Sequence, residues 1–222
     1  MDPVEWQLRC ELAACCQLTD LYGMSDLAST HISVMLPGAA HHFLVNPLGV
    51  LFDEMRASDL LKVDMDGRVV EGDPSLLNPA GFVIHSAIHL SQSDIVCVML
   101  DFVGYHDYEG TALDEDERSR LLRDLGPNGR VLILRNHGAL TVGRSVGEAF
   151  CWMHRLETAC GYQIAGQSGA QPLHELSAEV IRHTRAQGRR MLGAGGFLET
   201  GRHEWPGLLR KLERERGVSY RR

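Results

Sequence analysis

The sequence predicts an α/β protein, a three-layer α/β/α sandwich with a central, mostly antiparallel sheet. Short apolar strands joined by tight turns follow the first helix, as in antiparallel hairpins, whereas the later strands are separated by helical segments. A length of 222 residues fits one sizeable domain, or one domain with a tail. A doubly wound parallel sheet fits this order of elements less well.

The first half of the chain predicts one helix and two hairpins. Apolar residues recur at helical spacing over residues 5–22, which indicates an amphipathic helix. Residues 30–36 alternate in polarity and residues 43–45 resume the pattern after a Pro-Gly break, so they predict a hairpin. Residues 60–64 and 68–70 flank an Asp-Gly turn, the dipeptide that matches strand twist in a second hairpin.

The second half alternates strands with helices. Pro79 opens a helix over residues 79–91, and the apolar runs 95–100 and 130–134 predict central strands. Another helix is predicted between the acidic residues that precede Leu121 and the Gly-Pro pair that follows Leu125.

Three further helices are predicted towards the end of the chain. Ser145 caps a helix over residues 145–166, with Glu148 three residues later, and residues 174–192 form the next helix. A glycine-rich linker, Gly193–Gly196, then leads to a charged terminal helix. Its single apolar stripe consists of Trp205, Leu208, Leu209 and Leu212.

Composition excludes several classes of protein. The hydrophobic fraction of 44% and the charged fraction of 23% are typical of globular chains and exclude disorder. A net charge of −7 argues against a nucleic-acid partner, which requires many basic side chains. The sequence shows neither a secretory leader nor an apolar run near the roughly 20 residues of a membrane span. Six cysteines without a CxxC pair indicate a reducing cytoplasm.

Histidines are the candidate metal ligands. His137 follows an apolar strand and precedes a glycine, a position from which a ligand projects into a crevice at the sheet end. The alternative is a turn histidine that hydrogen-bonds backbone. His85 and His89 lie four residues apart on a helix and could bind zinc, but the glutamate of HExxH is missing, which favours helix packing. The polar, aromatic loop 105–110 could be a structural or a functional rim.

Three ordered strings carry a family resemblance. They are NPAGFVIHSAIH at residues 78–89, YHDYEG at 105–110 and RNHG at 135–138, the last leading through LTVG to EAF at 148–150. Together they resemble the class II aldolase/adducin N-terminal domain family, in its adducin-like branch, and the tail from Trp205 resembles bacterial aldolase-like members. The resemblance implies a domain over residues 1–170 and a helical tail, 171–222, that packs on the same domain or on a neighbouring subunit.

The resemblance also implies a chemistry and an assembly. Aldolases of this family cleave hydroxy-aldehyde or sugar-phosphate substrates with zinc, held by three histidines, as the Lewis acid that stabilises the enediolate. They are homo-oligomers, usually tetramers, with sites near subunit boundaries. Carried onto this chain, Thr30, Gly49 and Gly81 face the substrate and His137 is the third metal ligand.

Two departures from the family pattern bear on that chemistry. The strand at residues 95–99 normally ends in a His-x-His pair followed by a long segment, but here Met99 runs through Leu100 directly towards Tyr105. Two of the three ligands are therefore absent. Gly81 also stands where sugar-phosphate aldolases carry the catalytic glutamate. If each lost ligand costs about 10- to 100-fold, the metal site weakens by roughly 10²- to 10⁴-fold.

These departures leave three hypotheses. The first is an aldolase-like protein whose metal-dependent lyase chemistry is impaired. The second is a working lyase in which neighbours such as His85, Asp101, His106 or Asp107 replace the lost ligands. The third is a non-catalytic, adducin-like module that acts through oligomer surfaces.

Overall fold

A computed structural model describes most of the chain, which forms two compact units. The first unit comprises Met1–Gln92, Glu109–Ser119 and Trp205–Arg222, and the second comprises Ser93–Tyr108 and Arg120–Glu204. The described residues are 2–27, 29–38, 41–79, 82, 102–110, 116–127, 129–168, 177–192 and 198–222.

Helix α1, Pro3–Leu21, opens the first unit. The Asp2 side chain accepts a hydrogen bond from the Val4 N–H at 3.1 Å, and Pro3 occupies the first turn, where its missing N–H costs nothing. The helix ends before Gly23, whose φ of +67° suits a residue without a side chain. The predicted first helix is confirmed.

Four short strands form an antiparallel sheet in the order β1-β2-β3-β4. Both predicted hairpins are confirmed, since β1 pairs with β2 and β3 with β4. The Asp-Gly turn of the second hairpin is held by Asp64, whose carboxylate accepts from the N–H groups of Asp66 and Arg68, both at 2.9 Å. The strands are Ser33–Met35, Phe43–Val45, Leu61–Val63 and Val69–Glu71.

An apolar core covers one face of this sheet. Phe43, Val45, Leu61 and Val63 are buried together, and Phe82 stacks on Phe43 with ring centroids 6.3 Å apart. Burying side chains of this size stabilises the fold by about 1.5–3 kcal/mol each relative to exposure.

A buried ionic network ties α1 to the sheet. The Arg9 guanidinium donates to Glu5 at 3.0 Å and to the Leu60 carbonyl at 2.8 Å, and it pairs with Glu71 at 3.1 Å. The Lys62 ammonium donates to the other oxygen of Glu5 at 2.7 Å. Burial alone raises the pKa of Glu5, but the hydrogen bonds from Lys62 and Arg9 outweigh burial and hold that pKa below its ordinary value.

The carboxyl end of the chain packs on α1 in the same unit. Its last helix, α5, spans Glu204–Arg216, and the Arg216 guanidinium pairs with Asp20 at 2.7 Å. Gln17 donates to the Ser219 hydroxyl at 3.2 Å, and Tyr220 is buried. The predicted terminal helix is confirmed, while the predicted division at residue 170 stays a prediction.

The second unit is built on a mixed sheet of three strands in the order β5-β6-β7. Strands β5, Val103–His106, and β6, Val131–Leu134, are parallel, and β6 is antiparallel to β7, Gly138–Thr141. Helix α2, Glu117–Leu125, lies between β5 and β6 in the sequence, as a parallel pair requires a crossover. The remaining helices are α3, Val146–Gln167, and α4, Ala178–Leu192.

Helix α3 begins where the sequence predicted. The Ser145 hydroxyl accepts from the Glu148 N–H at 3.1 Å. The Glu148 carboxylate turns back to the Arg144 N–H at 2.8 Å, one residue beyond the usual capping-box partner, and lies 3.6 Å from buried Arg130. The start of α3 is therefore fixed by buried charge as well as by its cap.

The mixed α/β class with antiparallel sheet is confirmed. The predicted strand 95–100, most of the helix predicted at 79–91 and the linker Gly193–Gly196 lie outside the described residues. Within the described part of the chain, no helix is both long enough and apolar enough to cross a membrane.

Replacing Arg9 with methionine tests the buried network. We expect the free energy of unfolding to fall by about 3 kcal/mol, because the change strips Glu5 and Glu71 of a buried cation. Urea denaturation of Arg9→Met at pH 7 measures this loss. Arg210→Met, at an exposed arginine on α5, is the control and should change stability by less than about 0.5 kcal/mol. Equal stabilities for the two variants would contradict the assignment.

Gly104 tests how tightly α2 packs on β5. A Cβ at Gly104 would lie 2.1 Å from the Asp124 carbonyl oxygen, so Gly104→Ala should destabilise by about 1–3 kcal/mol. Gly138→Ala is the matched control, because a Cβ there meets nothing within 4 Å. Calorimetric melting should show a clear drop in Tm for the first variant and little change for the second. A drop of equal size in both would count against this packing.

Candidate functional site

His137 lies in the tight turn between β6 and β7. Its N–H donates to the Leu134 carbonyl at 3.0 Å, and the preceding Asn136 adopts a φ of +57°. The His137 side chain is exposed and follows the apolar strand β6, and its role as a metal ligand stays a prediction. The hydrogen bond from the His137 N–H to the Leu134 carbonyl is also the one expected of a turn histidine. The geometry is therefore compatible with His137 as a metal ligand and with His137 as a turn residue.

Three side chains of the segment 105–108 lie around this turn, which itself presents Arg135 and His137. We call Tyr105, Asp107, Tyr108, Arg135 and His137 the edge cluster. Tyr108 and His137 stack with ring centroids 6.4 Å apart and an interplanar angle of 20°. The Arg135 guanidinium lies 5.2 Å from the centroid of the Tyr105 ring and donates to Asp107 at 2.6 Å.

Strand direction explains why these residues meet. Because β5 and β6 are parallel, with His106 opposite Leu134, the residues that follow each strand emerge at the same edge of the sheet. The Arg135 N–H donates to the His106 carbonyl at 2.9 Å, which carries the pairing one residue past the strands. The loop 105–110 is thus the neighbour of the His137 turn, although the two are distant in sequence.

His106 points inward from the same strand. Its side chain is buried, and its Nδ1 lies 2.8 Å from the Asp124 carboxylate on α2. Burial raises the pKa of Asp124, but the hydrogen bonds from His106 and Arg123 outweigh burial and lower that pKa below its ordinary value. The sequence did not single out Asp124. The spacing of apolar residues predicted the helix α2, but it does not show which polar residue of that helix contacts His106.

The first unit holds the predicted substrate-facing Thr30. Its hydroxyl accepts from the Asp26 N–H at 2.8 Å, and its carbonyl accepts from Asn46 at 3.3 Å. The neighbouring His31 contacts Asn78 through Nε2 at 2.8 Å. Burial lowers the pKa of His31 below its ordinary value, which favours the neutral imidazole. Sequence reasoning missed this His31–Asn78 contact, which joins segments 47 residues apart.

Gly49, the second predicted substrate-facing residue, sits in an exposed turn of the first unit. Its φ is +83°, and a Cβ placed on it would meet nothing within 4 Å, so the conformation rather than crowding requires glycine. The Leu48 N–H donates to the Leu76 carbonyl at 2.8 Å and holds the turn. Gly81, the third such residue, lies outside the described residues.

Among the described residues, the side chains around His137 do not form a group that could hold a zinc ion. Asp107 already accepts from Arg135, and a cation beside a carboxylate opposes binding of a second cation. His106 is directed away, onto Asp124. Across the described ranges, no three His, Cys, Asp or Glu side chains are grouped so that they could hold a metal. Of the other suggested substitutes, His85 and Asp101 lie outside those ranges.

Comparison with known proteins identifies relatives over most of the chain. The family described as Class II Aldolase and Adducin N-terminal domain matches residues 10–100 and 100–164. An aldolase II superfamily protein from Pseudomonas syringae has a similar structure, with a TM-score of 0.86 and 40% identity over 100% of this chain and 98% of the other. L-fuculose 1-phosphate aldolase from Glaciozyma antarctica shares the fold, with a TM-score of 0.78 and 23% identity over 98% and 93% of the two chains.

The chain is also similar to alpha-adducin of Rattus norvegicus. The two are 39% identical over 191 residues, which cover 73% of this chain and 26% of that much longer protein. The aligned part of this chain, 73% of 222 residues, is about 162 residues, whereas the alignment is 191 positions long. The aligned stretch of alpha-adducin therefore includes residues that have no counterpart in this chain. The family match is likewise divided into two parts that meet at residue 100.

The lowered pKa of Asp124 predicts a pH dependence of stability. A carboxyl group whose pKa is lowered by folding stabilises above its unfolded value of 3.8, and this stabilisation is lost as pH falls through the lower folded value. Asp124→Asn should cost about 1–3 kcal/mol at pH 7 and flatten the loss of stability between about pH 5 and pH 2. Urea denaturation across this range, with exposed Asp53→Asn as control, checks this. Coincident slopes for wild type and Asp124→Asn would refute it.

Proposed function

Because the chain belongs to the class II aldolase and adducin N-terminal domain family, we propose that it is an aldolase-like protein with impaired zinc-dependent lyase chemistry. The reaction in question is retro-aldol cleavage of a hydroxy-aldehyde or sugar-phosphate substrate. The family match over residues 10–164 supports descent from class II aldolases. The proposal that zinc binding is impaired is argued from the residues around His137.

One observation carries the proposal, namely the pairing of Arg135 with Asp107 at 2.6 Å beside His137. Zinc sites are built from three or four His, Cys or carboxylate ligands with polar groups behind them. Here the turn that presents His137 also presents a guanidinium, and that guanidinium binds the nearby carboxylate. A metal ion at this edge would compete with that guanidinium for Asp107, in addition to lacking the His-x-His ligands that the sequence does not contain.

The comparisons supply a second line of support. The division of the family match at residue 100 coincides with the place where the sequence lacks the His-x-His pair and the segment after it. The alpha-adducin alignment requires residues that this chain lacks, as a missing segment would. Gly81 adds a separate loss, because it has no side chain to move a proton where sugar-phosphate aldolases carry a glutamate.

In this proposal the protein still binds a substrate-like molecule although its lyase activity is impaired. The Thr30 hydroxyl accepts from the Asp26 N–H and keeps its own hydrogen to donate to an anionic group. The exposed turn at Gly49 leaves open space in which a phosphate could approach backbone N–H groups. We propose Thr30, Gly49 and Gly81 as the residues that face a small aldehyde or sugar phosphate.

A second candidate function is an adducin-like interaction module. The 39% identity to alpha-adducin favours it, and it requires no metal. This candidate, like the first, is proposed as a cytoplasmic homo-oligomer, a tetramer as the family resemblance implies, without nucleic-acid or membrane partners. A single species at the monomer mass in light scattering, together with no captured protein in a pull-down, would contradict the module.

Zinc content and turnover test the first proposal. The protein purified without chelators should carry far less than one zinc per chain and should not cleave L-fuculose 1-phosphate. Added zinc should bind about 10²- to 10⁴-fold more weakly than to an intact three-histidine site. Inductively coupled plasma mass spectrometry and aldehyde release measure these quantities, with the Glaciozyma antarctica aldolase as positive control.

His137→Ala provides the matched variant for this test. If the site is impaired as proposed, the variant and the wild type should have the same low zinc content. Stoichiometric zinc in the wild type that disappears in His137→Ala, together with turnover, would overturn the proposal in favour of substitute ligands.

A further inference from the structure

The guanidinium of Arg135 is held in place but only partly satisfied. The Arg135 N–H donates to the His106 carbonyl at 2.9 Å, and the side chain lies over the Tyr105 ring, 5.2 Å from its centroid. Among the described residues, a single side-chain oxygen accepts from this guanidinium, that of Asp107 at 2.6 Å. A guanidinium has five N–H donors, so several of them remain for another acceptor.

The contact between Arg135 and Asp107 is open to exchange. Both side chains are exposed, Arg135 by 56% and Asp107 by 82%. Exposed ion pairs are weak, because water solvates both charges. A carboxylate that binds a guanidinium through both oxygens is held better than one that binds through a single oxygen. Asp107 therefore marks a position for a carboxylate without closing that position to a second one.

The tyrosines of the edge cluster add donors and ring surface. Tyr105 and Tyr108 are each 54% exposed, and their hydroxyls make no hydrogen bond within the ranges that the structure describes. Each hydroxyl can donate to an oxygen of a small ligand and can accept from a ligand hydroxyl. The stacking of Tyr108 on His137 and of Arg135 on Tyr105 limits the freedom of these side chains before any ligand arrives, which lowers the cost of binding.

We propose that the edge cluster binds the carboxylate of a small hydroxy acid, with Arg135 as the main contact and Asp107 as an internal competitor. The planar guanidinium matches a carboxylate, and the tyrosine hydroxyls complement a hydroxyl beside it. A phosphate group carries up to two negative charges and is repelled more strongly by Asp107 than a monoanion is. All five residues of the cluster belong to the second unit.

This inference goes beyond the impaired lyase, because the binding that it describes needs no metal. It is tested with zinc removed by a chelator, whereas the proposed function is tested by zinc content and turnover. Each of the two can therefore fail without the other.

Titration with sodium glycolate tests the site. Saturation-transfer difference NMR at constant ionic strength, in buffer with chelator, measures the Kd for glycolate, and uncharged glycolamide should not bind. Arg135→Gln should weaken glycolate binding at least about ten-fold, because it removes the charged donors. Asp107→Asn should tighten binding by up to about five-fold, because it removes the competing carboxylate. The two partners of one ion pair thus give effects of opposite sign.

The pair Arg202–Glu199 supplies matched controls. These side chains form another exposed ion pair, at 3.0 Å and in the second unit. Arg202→Gln and Glu199→Gln should leave the Kd for glycolate unchanged, and circular dichroism should show the wild-type fold in all four variants. Equal glycolate binding by Arg135→Gln and wild type, or no tighter binding by Asp107→Asn, would overturn the site. Inorganic phosphate that binds more tightly than glycolate would overturn its assignment to a carboxylate.

Discussion

The parallel pairing of β5 with β6 is the constraint on which the candidate site depends. It brings the ends of two strands to one edge, so the loop after His106 meets the turn that carries His137. Close packing of α2 holds this pair in place, because Gly104 leaves no room for a side chain beneath the Asp124 carbonyl. The His106–Asp124 contact then fixes the inward side of β5. The outward side chains are left to form the edge cluster.

The edge cluster joins groups that neutralise one another. Arg135 satisfies Asp107 and covers the Tyr105 ring, while Tyr108 covers the imidazole of His137. An exposed ion pair of this kind contributes less than about 1 kcal/mol to stability, so it competes only weakly with a metal ion for Asp107. It occupies the carboxylate that a substitute metal site would need. Our proposal of an impaired zinc site draws on this arrangement.

Local signals predicted the elements of this chain well. The Asp-Gly turn, the alternating strands and the Ser145 cap each act within a few residues, and each is found where it was expected. Pairings between distant segments were missed. Asp124 on His106 and Asn78 on His31 join residues 18 and 47 positions apart, and no pattern of polarity or spacing marks such partners. The sequence also did not predict that the Glu148 carboxylate accepts from the Arg144 N–H rather than from the N–H of the cap residue, Ser145.

The sequence by itself determined the α/β class, the order of helices and hairpins, and the membership suggested by its three strings. It also placed His137 at the end of an apolar strand, because the period of polarity and the residues at turns are local properties. Tertiary structure decided that Arg135 takes the carboxylate of Asp107 and that His106 is buried against Asp124. Such outcomes depend on which segments meet in space, and charge and burial act between side chains only after folding has brought them together.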